Sequence, residues 1–158
     1  MRSPRYPLEP LAQLRSRKVD EAARAYAASV GEREAAEGVK RAAEARRRRH
    51  EKDAADVRNA ERAALDRGDL RAGDLDRAES WGAQAAVQQR SLEAAVERAD
   101  AREKQARDAE LAAQARTALR QADATVVAKD RARWDQAQRA AIDAREEEAL
   151  DEACRPKR

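Results

Sequence analysis

Between Pro10 and Pro156 the chain contains no proline. Proline removes an amide donor and clashes with the preceding helical turn. Its confinement to Pro4, Pro7, Pro10 and Pro156 therefore leaves the whole interval free to run as helix. The residues that fill it are mostly strong helix formers: of 158 residues, 41 are Ala, 28 Arg, 17 Glu, 10 Leu and 6 Lys. Large apolar side chains are scarce, with 8 Val, 1 Ile and no Phe. Such a chain cannot assemble a thick core. It can form an extended coiled coil or remain a disordered charged polymer, and the low Pro and Gly content favours the coiled coil.

One segment breaks the helical run. Arg67-Gly68-Asp69-Leu70-Arg71-Ala72-Gly73-Asp74-Leu75 places two glycines and two aspartates close together. Gly68 suits the left-handed residue that ends a helix, and Asp74 suits the N-cap that starts the next. The expectation is an all-α fold, a long two-helix antiparallel coiled-coil hairpin forming a single domain over 1–158. Helix 1 spans about 8–67, the turn 68–74 and helix 2 about 75–152, with short disordered ends. At 1.5 Å per residue the helices would be roughly 90 and 115 Å long. Gly31 and Gly38 weaken helix 1, by about 1 kcal/mol each relative to Ala.

A seven-residue periodicity supports the pairing. Helix 1 carries Leu8, Arg15, Ala22, Ser29, Ala36, Ala43, His50, Val57 and Ala64 at that step. Helix 2 answers with Ala78, Ala85, Leu92, Ala99, Ala106, Ala113, Arg120, Val127, Trp134 and Ala141. A repeat of seven implies a left-handed supercoil. A second seam in helix 2 is poorer, reading Leu75, Gly82, Gln89, Val96, Glu103 and Glu110. Alanine seams bury little apolar area, so the hairpin should be marginally stable and suited to completion by a partner.

Charge is abundant but interleaved: 34 Lys and Arg against 31 Asp and Glu give a net +3. Residues 1–67 hold 17 basic and 12 acidic side chains, and residues 75–152 hold 13 and 17. The helices are thus complementary in sign. A turn centred near residue 71 sets residue i beside about 142 minus i, which places Arg46, Arg47, Arg48 and Arg49 near Glu93 and Glu97. Exposed pairs of this kind are worth about 0–1 kcal/mol each and serve register more than stability.

Candidate sites are few. The basic cluster Arg46–Arg49 could meet nucleic acid or an acidic protein, or it could be a solvated or cross-paired helix face. Without a recognised module or stacking aromatics, the sequence argues against nucleic acid. His50, the only histidine, lies on the seam with no second ligand at metal spacing, and reads as a packing residue. Trp81, near the turn, fits packing or partner contact equally, since Trp is favoured at interface hot spots. Leu8, Leu11 and Leu14, facing Val126, Val127 and Trp134, form either the coiled coil's own clamp or an apolar plug for another protein's ring or groove. The run Glu146-Glu147-Glu148-Ala149-Leu150-Asp151-Glu152 puts acid at a helix C-terminus, against the macrodipole, and reads as a solvated tail or a dock for a basic partner. No catalytic constellation, metal site or phosphate loop is present in the sequence, so no enzyme, cofactor or small-molecule substrate is expected. The longest apolar run falls short of a membrane span, and the single Cys154 suits a reducing compartment; a cytoplasmic protein without direct membrane insertion is expected.

The opening Tyr6-Pro7-Leu8-Glu9-Pro10-Leu11-Ala12-Gln13-Leu14-Arg15 resembles the start of the YscO/FliJ family, the stalk proteins of type III secretion and flagellar export machinery. That family opens with an aromatic residue, then a Pro-Leu-Glu-Pro-Leu motif and a long charged helix. The Gly-containing turn followed by Trp81 is similar to the injectisome branch, as is the ending from Arg133-Trp134 through Glu146-Glu147-Glu148-Ala149-Leu150-Asp151-Glu152. The resemblance implies a non-enzymatic helical hairpin acting as a central stalk at the cytoplasmic face of an export apparatus. Its end bearing the termini would enter the hexameric export ATPase through Leu8, Leu11, Leu14, Arg15, Trp134, Ile142 and Leu150. Its tip would meet the cytoplasmic domain of the export gate through Leu65, Leu70, Leu75 and Trp81, and secretion chaperones would be further partners. The alternatives are a basic coiled coil that binds nucleic acid and a generic scaffold or dimerising coiled coil.

Overall fold

A computed structural model describes residues 5–154. The chain is an all-α helical hairpin of two helices, α1 (Glu9–Asp66) and α2 (Ala72–Cys154). The expected disordered ends, residues 1–4 and 155–158, lie outside the described residues. By internal contacts the chain divides into two compact units, one of Met1–Ala27 with Ala112–Arg158 and the other of Ala28–Leu111. Both helices pass through both units, and each unit pairs a piece of α1 with a piece of α2.

The turn belongs to the second unit and is shorter than the sequence suggested. Gly68 has φ +72°, the left-handed conformation that a side chain disfavours. The Gly68 amide donates to the Leu65 carbonyl at 2.9 Å, and the Asp69 amide donates to the Ala64 carbonyl at 3.0 Å. These two bonds form a Schellman motif, which satisfies carbonyls that the end of α1 would leave free. Helix α2 then starts at Ala72, three residues earlier than expected, and Gly73 lies inside its first turn. Asp74 is therefore not the N-cap. It sits one turn in, and its carboxylate reaches back to accept a 2.9 Å hydrogen bond from the Arg71 amide. That bond and the neighbouring Arg77 hold the Asp74 carboxyl below its usual pKa. The capping chemistry is preserved with the roles exchanged, as in half of a capping box.

The seam follows the sevenfold step. In the second unit Ser29, Ala36 and Ala54 from α1 and Ala99 and Glu103 from α2 are buried. In the first, Ala113, Thr117 and Val127 are buried. The register brackets the one expected: Arg33 meets Glu110, one residue beyond 109, while two seam contacts fall three residues short. His50 meets Gln89 rather than residue 92, and Ala22 meets Thr117 rather than residue 120. Thr117 is suited to this place: its hydroxyl lies 2.9 Å from the Ala113 carbonyl and 3.2 Å from that of Ala22, so it stays paired while buried. No large side chain among the described residues is fully buried, in keeping with a seam built from alanine.

What the sequence left unread is a second, charged seam in α1. Arg33, Lys40 and Arg47 recur at seven-residue steps, and Glu103 and Glu110 answer from α2. The Arg33 Nε lies 2.6 Å from a Glu110 oxygen. The Lys40 Nζ lies 2.5 Å from Asp100 and 3.8 Å from Glu103, which also takes Arg107 at 2.8 Å. Lys40 first, then Lys104, hold the Asp100 carboxyl below its ordinary range, and Asp100 in turn raises Lys40. The pattern stops at the next layer. Val96 stands where a third glutamate would continue the series, and the buried Arg47 Nε has no hydrogen-bond partner.

Candidate functional site

The first unit gathers the two motifs that the sequence singled out. The Tyr6 hydroxyl donates a 2.5 Å hydrogen bond to Asp130, and its ring meets Trp134 edge to face, centroids 5.6 Å apart. Such ring pairs add about 0.5–1.5 kcal/mol beyond their buried area. Glu9 and Arg131 form a 3.0 Å ion pair alongside, and Arg15 donates to the backbone carbonyl of Asp123. Tyr6 is 6% exposed, so this aromatic clasp, rather than the leucines, organises the unit. In the sequence Tyr6 stands out only as the aromatic of the opening motif, with Pro7 next to it just ahead of the helix.

The leucine stripe does not act as a closed clamp. Leu11 is half-buried, while Leu8 and Leu14 are 43% and 49% exposed. Opposite, Val127 is buried and Trp134 half-buried, but Val126 points to solvent. The reason is periodicity: residues 8, 11 and 14 advance by three, so successive leucines drift around the helix and only one can face the seam. Ile142 and Leu150 are also exposed, and every residue from 139 to 152 is exposed. This unit therefore presents Leu8, Leu14, Val126, Ile142 and Leu150 outward, around a clasp that fixes its two chain segments.

The clasp should respond to alkali. The Asp130 carboxylate accepting its proton, together with burial, pushes the Tyr6 phenol up to about 12 from 10.0. A raised folded pKa means that the contact stabilises the fold fully below pH 10 and loses that contribution as pH rises through about 12. Ultraviolet titration should show a phenolate step near pH 12 that disappears in Tyr6→Phe. Absence of any step above about pH 11 would contradict the clasp.

In the second unit, the residues nearest the turn form a different surface. Leu65 and Leu75 are exposed, whereas Leu70 and Trp81 are half-buried. Trp81 lines an open groove of about 630 Å³ with Ala54, Ala78, Gly82 and Ala85, flanked by His50, Arg58 and Glu61. Small residues on both helices create this space. The indole is thus shared between packing and an accessible groove, in line with the two roles that the sequence left open.

His50 joins a polar chain rather than the apolar seam alone. Its Nδ1 lies 3.1 Å from the Gln89 side-chain oxygen, and the Gln89 amide donates to Glu51 at 3.0 Å and to Glu93 at 2.8 Å. The expected pairing of Arg46–Arg49 with Glu93 and Glu97 is not formed among the described residues. Helix phase is the cause: it sets Val96 at the Arg47 layer, turns the flanking arginines outward and leaves Glu93 to Gln89. Arg46, Arg48 and Arg49 are exposed, and Arg47 reaches Glu51 on its own helix at 3.5 Å without a hydrogen bond from Nε.

Among the described residues, no group of three or more His, Cys, Asp or Glu side chains is placed to hold a metal ion, and no helix is long and apolar enough to cross a membrane. Comparison with protein-family models, with curated proteins and with solved structures finds no match to this chain.

Proposed function

We propose that this chain is a non-enzymatic interaction protein, the central stalk of a type III protein export apparatus. It would work at the cytoplasmic face of the membrane-embedded machinery and link the hexameric export ATPase to the export gate. The observation that carries the reading is the Tyr6–Trp134 clasp, which joins two terminal motifs that resemble the YscO/FliJ family and are far apart in sequence. Around it stand the exposed Leu8 and Leu14, apolar side chains available to a partner. The exposed Leu65 and Leu75 beside the turn support a second contact, with the gate. Secretion chaperones are further candidate partners.

The test is co-purification of the full chain with the hexameric export ATPase of the same organism, with ATP hydrolysis as a second readout. A Leu8→Asp, Leu14→Asp variant changes only exposed side chains and should retain its helicity while binding at least tenfold more weakly. Wild-type protein that is helical yet neither binds nor stimulates the ATPase would refute the stalk reading and leave a generic coiled-coil scaffold.

A second reading, a basic coiled coil on nucleic acid, draws on the exposed and cross-helix-unpaired Arg46, Arg48 and Arg49. It requires retention on RNA or DNA that weakens steeply with salt; no retention at low salt removes it.

A further inference from the structure

On the side of the second unit away from the Lys40–Asp100 pair, the two helices leave an elongated groove. It consists of two adjoining hollows of about 420 and 440 Å³ that share Val39, Arg102 and Gln105. Its floor is alanine, including Ala35, Ala36, Ala99 and Ala106, and Val39 within it is 49% exposed. Alanine-lined surfaces let helix axes approach to about 8 Å, so a hollow of this kind has the width and chemistry for a third helix. Its charges are ordered. Glu32 stands at the end beside Ala109, while Arg102 and Arg98 stand toward the end beside Ala95. Neither arginine has an ion pair or hydrogen bond among the described residues, although acids are plentiful in the chain.

The first unit holds a segment of matching character. Every residue of α2 from 139 to 152 is exposed, so nothing within the described chain packs on these four turns. The segment has small side chains at Ala140, Ala141, Ala144 and Ala149, begins with Arg139 and ends in Glu146–Glu148, Asp151 and Glu152. Acid at a helix C-terminus opposes the helix dipole, and a basic counter-surface relieves that repulsion. Glu148 and Glu152 share one face with Ala141 and Ala144, and their four-residue step matches that of Arg98 and Arg102 in the groove.

We infer that the Arg98–Arg102 groove is a docking surface for the acidic end of α2 from a second copy of this chain. The contact is heterologous: groove of one molecule, α2 end of the other. It does not rest on the stalk reading, because it needs no other protein.

The test uses the full chain in sedimentation velocity and light scattering over a concentration series, at ~50 mM salt, where the Debye length is still above 10 Å. Wild type should self-associate, and the association should weaken at least tenfold in an Arg98→Glu, Arg102→Glu variant and in a Glu148→Lys, Glu152→Lys variant. An equimolar mixture of the two variants should recover it, because one then offers an acidic groove and the other a basic helix end. That recovery also shows that both variants fold. Wild type that stays monomeric throughout the series, variants that associate as wild type does, or a mixture that fails to recover would each overturn the inference.

Discussion

Glu103→Lys is expected to destabilise the fold by about 3–5 kcal/mol, the scale for leaving an uncompensated charge in a buried position. Glu103 is 6% exposed and receives Lys40 and Arg107, with Lys104 next to it in sequence. A lysine there would place a fourth cation beside Lys40, Lys104 and Arg107, with Asp100 already shared by Lys40 and Lys104. In a chain with so little apolar core this loss would exceed much of the stability of the second unit. Thermal unfolding followed by circular dichroism should show a fall of about 6 °C or more, on the usual scale of about 2–4 °C per kcal/mol for a chain of this size. Adding Lys40→Glu should recover part of the loss, since the pair is then restored in reverse. Glu103→Leu is the informative control. It removes the acid without adding a cation, and Lys40 keeps Asp100 while the largely exposed Arg107 turns to water, so it should lose clearly less than Glu103→Lys. A Glu103→Lys protein that melts within about 2 °C of wild type would contradict the charged seam.

The second large effect has the opposite sign. Arg47→Leu is expected to stabilise the chain by about 1–2 kcal/mol, because an unsatisfied buried donor costs that much to retain. The Arg47 Nε is buried without a hydrogen bond, and the sevenfold step sets Val96 opposite, an apolar neighbour for the new leucine. Val96→Glu should act in the same direction by another route, supplying the acid that Lys40 and Arg33 already have at their layers. Higher melting temperatures for both changes made singly, and no further gain when they are combined, would identify the orphaned nitrogen as the common cause. A lower melting temperature for Arg47→Leu would show that the guanidinium is better served at Glu51 than its geometry indicates.

The fold was legible because its determinants are local and periodic. Proline spacing, the glycine at position 68 and the step through Ser29, Ala36, Ala99 and Ala113 name the helices, the turn and the buried seam without tertiary information. The start of α2 was less legible. It depends on how many residues the turn consumes, and Asp74 can serve equally as an N-cap or, one turn in, as the group that reaches back to Arg71. That ambiguity moved the start of α2 from about 75 to Ala72, while the phase of α1 turned Arg46, Arg48 and Arg49 to solvent, away from Glu93 and Glu97. The candidate sites were only partly legible for a related reason. Exposure at Leu8, Leu14 and Leu65 follows from helix phase, which three-residue spacing obscures, and the burial of Tyr6 depends on Asp130 and Trp134, more than a hundred residues away.

The charged layers of the second unit have an arithmetic degeneracy. Sliding α2 past α1 by one heptad would set Lys40 at Glu110 and Arg47 at Glu103. Two cation–carboxylate layers would form, as many as before, and the Arg47 nitrogen would gain an acid. Alanines would still meet across the other seam. Judged by its side chains alone, the pairing can be miscounted by seven at little cost. What keeps the count is the backbone closure at Gly68: two hydrogen bonds, to Leu65 and Ala64, and a turn too short to yield seven residues. The turn is the ratchet pawl of the hairpin, and lengthening it would release a choice between two alignments that the helices themselves do not make.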